Sequence, residues 1–203
     1  CKTCRQKGVC WEAFSDGRCG GDALLTAYLT KQIDFECLRY RNAECEVNRD
    51  YVMGKLAALL LETPEAHLVE LLWQCTDLEP VTKENIPQYS TLTRTYRDVP
   101  MRLFELGEAA TFEDLGIYIT RDEPDFVLTP VAKKKYGENH AKLAAQMDLV
   151  LIDRALSSHK VELSQFGGCF CRLPAPQREQ LAAKLRFRIP IVQQYYIQGE
   201  HLE

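Results

Sequence analysis

The chain has 203 residues, 46% of them hydrophobic and 27% charged, the balance of a globular protein able to bury a core rather than of a disordered one. Its net charge of −4 argues against a general polyanion binder, and no apolar run approaches the ~18–20 residues of a membrane span or the pattern of a secretory leader. Nine cysteines, an odd number with Cys37, Cys45 and Cys75 inside helical patterns, fit buried thiols and a cytoplasmic location better than a secreted disulfide framework. The chain begins on Cys1 rather than methionine, which reads as a piece excised from a longer one.

The most specific local pattern comes first. Cys1, Cys4, Cys10 and Cys19 follow one another within nineteen residues, interrupted and followed by Gly8, Gly17, Gly20 and Gly21. Four thiolates so spaced can close around a tetrahedral ion, because the glycines permit tight turns. Lys2, Arg5, Lys7 and Arg18 offset the thiolate charge. A structural zinc knuckle over residues 1–21 is the leading expectation, since bound metal replaces the core that so short a segment lacks. The C-x2-C-x5-C spacing of Cys1, Cys4 and Cys10 also resembles that of oxygen-sensing and WhiB-like regulators, which makes an iron–sulfur redox sensor the rival reading.

Residues 22–107 read as a helical domain. Leu24, Leu25, Tyr28 and Leu29 share one side of a helix that begins near Asp22, and residues 35–50 continue as helix. Val52, Leu56, Leu59 and Leu60 form the apolar stripe of the next helix. Thr63, Pro64 and Glu65 predict a restart, with Thr63 as the N-cap and Pro64 in the first turn, and Leu68, Leu71, Leu72 and Cys75 as the buried face. Residues 77–87 are a loop broken by Pro80 and Pro87. A further helix runs over 99–106 and stops at Gly107.

Residues 108–203 have a different character. Thr111 to Asp114 is a cap-like start, after which Gly116, Ile117, Tyr118, Ile119 and Thr120 favour a strand through their aromatic and β-branched side chains. Phe126, Val127 and Leu128 return as a second strand. Thr129 and Pro130 cap a short helix that carries Lys133, Lys134 and Lys135 and ends at Gly137; Asn139 caps another through Met147. Strands follow at 149–152 and 160–163, Ser164 starts the next helix or turn, and 177–187 is amphipathic helix. Strand, loop, strand and a Thr- or Ser-started helix thus occur twice, as if tandem wings lay at 115–129 and 149–164. Cys169 and Cys171, one residue apart, read as buried thiols rather than a redox pair.

On these residues the C-terminal half resembles the winged-helix superfamily. Residues 139–147 look like its recognition helix, 149–152 and 160–163 like the two strands of a wing, and 164–168 like the start of the helix after it. The resemblance implies a mainly α fold with short β-hairpins: a helical bundle plus winged-helix-like units. It further implies that His140, Lys142 and Gln146 reach base edges or phosphates in a major groove, that Arg154, His159 and Lys160 touch the backbone from the wing, and that Lys133, Lys134 and Lys135 add salt-sensitive attraction. Charge distribution agrees, since residues 131–190 carry eleven basic and five acidic side chains.

The expected function is therefore DNA binding, as a transcriptional regulator or as the DNA-reading subunit of a larger assembly. A non-catalytic adaptor that uses the winged helix for protein contacts is the alternative. Catalysis is the minority reading. No phosphate-cradling glycine loop, dinucleotide fingerprint or nucleophile elbow occurs, and His67, His140, His159 and His201 stand apart from one another in the chain.

Overall fold

The computed structural model describes residues 21–32, 49–88, 92–122, 129–153 and 159–199. The four cysteines of the expected knuckle, most of the helix expected at 35–50, the strand expected at 126–128 and Arg154 lie outside them. The protein is mainly helical with one small antiparallel sheet, and it forms two compact units: residues 1–83 with 174–203, and residues 84–173.

Six elements are described in the first unit: α1 (Gly21–Leu29), α2 (Arg49–Glu62), α3 (Glu65–Trp73), α8 (Ala175–Leu185), a 3-10 turn (Arg186–Arg188) and α9 (Pro190–Gln198). Leu24, Leu25, Tyr28 and Leu29 are buried as their helical spacing predicts, against Met53, Leu56 and Leu60 of α2 and Leu68 and Leu72 of α3 in one apolar core. Thr63 does not cap α3. Pro64 occupies the N-cap position, and the Thr63 hydroxyl donates 2.6 Å back to the Leu59 carbonyl, which also accepts from the Thr63 amide at 2.9 Å near the end of α2. The sequence pattern also missed α9. Its buried Gln193 donates to the carbonyls of Leu29 (2.9 Å) and Phe187 (2.8 Å), so one amide pins the end of α1 to the 3-10 turn. Cys169 and Cys171 belong to the second unit, on one short helix. A helix turns about 100° per residue, so the two thiols leave it in different directions and form no disulfide.

In the second unit the order is α4 (Leu92–Leu106), β1 (Ala110–Thr111), α5 (Phe112–Ile119), α6 (Pro130–Gln146), β2 (Val150–Asp153), β3 (Lys160–Leu163) and α7 (Gln165–Arg172). The sheet order is β1-β3-β2, both pairs antiparallel, with Ala110 opposite Val161 and Ile152 opposite Val161 on the other side. Helix α4 starts well before Pro100, which sits inside it. Burial of Thr95, Asp98 and Val99 holds the turns ahead of the proline despite the missing backbone donor.

Two expectations fail here for one reason. Residues 116–119 are helix rather than strand, and Gly137 lies mid-helix rather than at a helix end. A Cβ on Gly116 would fall 2.0 Å from the carbonyl oxygen of Lys133, and one on Gly137 would fall 1.9 Å from that of Phe112. The glycines let the backbones of α5 and α6 touch, and that contact, not a turn, is why they are glycine. The strand expected to open the first of the tandem wings is thus a helix, and the one expected to return at 126–128 lies outside the described residues. Phe112, Leu115 and Ile119 are buried at helical spacing, and Thr111 closes a capping box with Asp114.

Candidate nucleic-acid interface

Helix α6 is one continuous element. Thr129 accepts a hydrogen bond from the Ala132 amide (3.3 Å) and Pro130 occupies the first turn, as the Thr-Pro pair predicts. Asn139 does not start a second helix; it is buried within the first. The inward face carries Gly137, His140, Ala141, Leu143 and Ala144, and the outward stripe carries Val131, Lys134, Lys135, Glu138 and Lys142 at spacings of three and four.

This division separates the residues that the winged-helix resemblance grouped together. Lys134 and Lys135 are exposed, and Lys133 is half-buried beside them. Lys142 reaches solvent, but its ammonium lies 2.6 Å from Glu138 Oε1, while Lys135 lies 3.1 Å from Oε2. The Lys142 ammonium, opposed by partial burial and seconded by Lys135, holds the Glu138 carboxyl below its ordinary pKa, so Glu138 is an anion centred in the lysine stripe.

His140 cannot present itself to a groove. Its side chain is 1% exposed, shares a 2.7 Å hydrogen bond with Thr95 of α4 and meets the ring of Tyr136 edge-on at 4.7 Å. Burial pushes its pKa down to about 4, Arg94 acts in the same direction and Asp98 opposes it. The imidazole is a neutral core group joining α6 to α4. Gln146 is engaged as well, its amide donating 2.8 Å to the Asn85 carbonyl. On the hairpin, His159 and Lys160 are exposed. His159 lies 5.8 Å from the Phe112 ring, and Lys160 stands opposite Asp153 across the β2–β3 pair, so the hairpin offers an acid beside its base.

The basic C-terminal segment is divided between the two units. Lys184, Arg186 and Arg188 belong to the first; Arg186 pairs with Glu65 at 2.6 Å, and Arg188 is buried with its guanidinium 4.8 Å above the Tyr28 ring. Sequence reasoning also passed over a cluster around buried Asp98, which Arg97 approaches to 3.1 Å and Arg121 to 3.7 Å. Arg121 stacks 3.8 Å over Tyr118, with Arg102 4.9 Å from the same ring. The arginine-rich run 94–102 is the signal for it in the chain, and it lies outside the basic segment 131–190.

Among the described residues no group of histidine, cysteine and carboxylate side chains is placed to hold a metal ion, and no helix is long and apolar enough to cross a membrane. Comparison with known protein families, curated proteins and solved structures finds no match to the chain.

Proposed function

We propose that residues 84–173 are a winged-helix module and that the outward face of α6 binds duplex DNA, as a regulator or as the DNA-reading part of a larger assembly. The observation that carries this reading is the element order α4-β1-α5-α6-β2-β3 together with the sheet order β1-β3-β2. In helix-turn-helix modules the second of two consecutive helices enters the major groove, and here that helix is α6. Its outward lysines supply the positive charge that phosphates require. His140 and Gln146 drop out of the contact set; Lys133, Lys134, Lys135 and Lys142 remain, with His159, Lys160 and Arg154 at the wing.

The test is duplex binding by the full chain at several salt concentrations. Reversing Lys134, Lys135 and Lys142 to glutamate together is expected to weaken binding at low salt by at least about a hundredfold. The log–log salt slope should also fall by about one unit for each phosphate that is no longer neutralised. Reversing exposed Lys83, outside α6, serves as the control. Equal affinity in the wild type and the triple variant would remove α6 from the interface. Absence of duplex affinity in a folded wild type would favour the second reading, a protein-docking module. That reading has its own support in two exposed apolar side chains, Val131 (80%) and Ile117 (48%).

Cys1, Cys4, Cys10 and Cys19 are proposed, on their spacing, to hold a structural zinc ion. Protein purified without air is expected to contain stoichiometric zinc and to be colourless. Iron, acid-labile sulfide and visible absorbance would replace zinc with a redox cluster.

A further inference from the structure

We infer that Glu138 is the specificity-determining residue of the α6 face, accepting a hydrogen bond from the exocyclic amine of a cytosine while Lys135 and Lys142 hold its carboxylate in place. This rests on the DNA-binding reading above and deepens it. Glu138 stands at the middle of the outward stripe, between the lysines one turn before and one turn after it. Each carboxylate oxygen takes one lysine, Oε2 from Lys135 and Oε1 from Lys142. An ionised carboxylate has about four acceptor positions, so the two lysines leave others for a donor approaching from outside. Glutamate is one of the few side chains suited to the cytosine amino group, the donor that a C·G pair presents in the major groove.

The position also decides what the lysines do. An anion in the middle of a phosphate-facing stripe is repelled by DNA backbone, and it occupies two of the three outward ammonium groups. Such an arrangement lowers affinity for every sequence and recovers it only where a base edge offers the matching donor. Selectivity here comes from a repulsive element as much as from an attractive one. Ordinary helix-surface ion pairs at these spacings contribute a few tenths of a kcal/mol to helix stability, and they carry no sequence preference.

The experiment selects preferred sites for the full-length wild type from a duplex pool randomised over about two helical turns, then repeats the selection with Glu138→Ala and Glu138→Gln. Each protein's affinity for a scrambled duplex and its unfolding midpoint are measured in parallel. The wild type is expected to require a C·G pair at one position. Glu138→Ala should bind the scrambled duplex several-fold more tightly and lose about tenfold discrimination at that position alone. Glu138→Gln, whose amide oxygen still accepts, should retain part of it. A Glu138→Ala protein with the wild-type preference overturns the assignment of Glu138 and leaves DNA binding standing. A folded wild type with no affinity for any duplex overturns DNA binding, and the role of Glu138 falls with it.

Discussion

Gly137→Ala is expected to cost residues 84–173 more than about 3 kcal/mol of stability, enough to unfold a marginal unit. The added Cβ would sit 1.9 Å from the Phe112 carbonyl oxygen and 2.7 Å from the Gly116 amide nitrogen, and both obstacles are backbone. No rotamer change relieves that overlap. Helices α5 and α6 must separate, which pulls Phe112, Leu115 and Ile119 away from the groups that bury them. Gly54 is the internal control, since it lies exposed in α2 with nothing within 4 Å of an added Cβ. Alanine there should leave stability unchanged or raise it by up to about 1 kcal/mol, because it lowers the entropy of the unfolded chain and favours helix. Urea unfolding followed by circular dichroism reads both variants. A Gly137→Ala protein within about 0.5 kcal/mol of wild type would mean that the α5–α6 backbones do not touch as described.

Acidification should destabilise the same unit through His140. The group is neutral in the fold with a pKa of about 4, whereas in the unfolded chain it titrates near the ordinary 6.5. Between those values the unfolded state binds a proton that the native state refuses, so stability falls as pH falls. The loss begins as pH drops through about 6.5 and levels off near 4. For the shift from 6.5 to about 4 it reaches roughly 3 kcal/mol, at about 1.4 kcal/mol per unit. Arg94 strengthens the effect by disfavouring a second cation, and buried Asp98 weakens it. His140→Gln retains a polar group for Thr95 but does not titrate. The difference in unfolding free energy between wild type and this variant, followed from about pH 7.5 to about pH 4.5, should shrink or change sign towards acid. A constant difference would show that His140 is solvated and exchanges protons freely.

How much of this was legible in the chain depends on which force decided each element. Local chemistry was readable. Thr129 with Pro130 and Ser164 each start the helix that their side chains predict, and Thr111 with Asp114 forms the cap its residues suggest ahead of a segment expected as strand, because an N-cap is satisfied by residues within one turn of itself. The stripes in α1 and α3 and the 160–163 strand were equally plain in their periodicity. Gly116 and Gly137 misled because a glycine needed for a close backbone approach looks, in one dimension, like a strand residue or a helix stop. β1, two residues long, has no pattern of its own and exists only because β3 offers it a partner.

The proposed interface was half legible in the same sense. Lysine positions on α6 follow from spacing once the helix is granted, so Lys134, Lys135 and Lys142 could be placed on one side from sequence. The engagement of Lys135 and Lys142 by Glu138 was also within reach, since the ion pairs are three and four residues apart. The inward turn of His140 was not. It depends on Thr95, 45 residues away in the chain, and a lone histidine on a helix does not reveal which neighbour will cover it.

By itself, then, the sequence determined a mainly helical protein, the starts of several of its helices, the β2–β3 strands and the apolar faces that seek burial, because these follow from contacts within a few residues or from a repeat along one element. Tertiary structure alone decided that α6 is continuous, that 112–119 is helical, that the basic C-terminal segment is divided between two units, and that His140 and Gln146 are structural rather than surface groups. Those outcomes rest on residues far apart in the chain: a backbone that needs a glycine opposite it, a hydroxyl that meets an imidazole, a strand edge that finds a partner. No local pattern encodes such meetings, since each residue's neighbours are chosen by the packing of the whole unit.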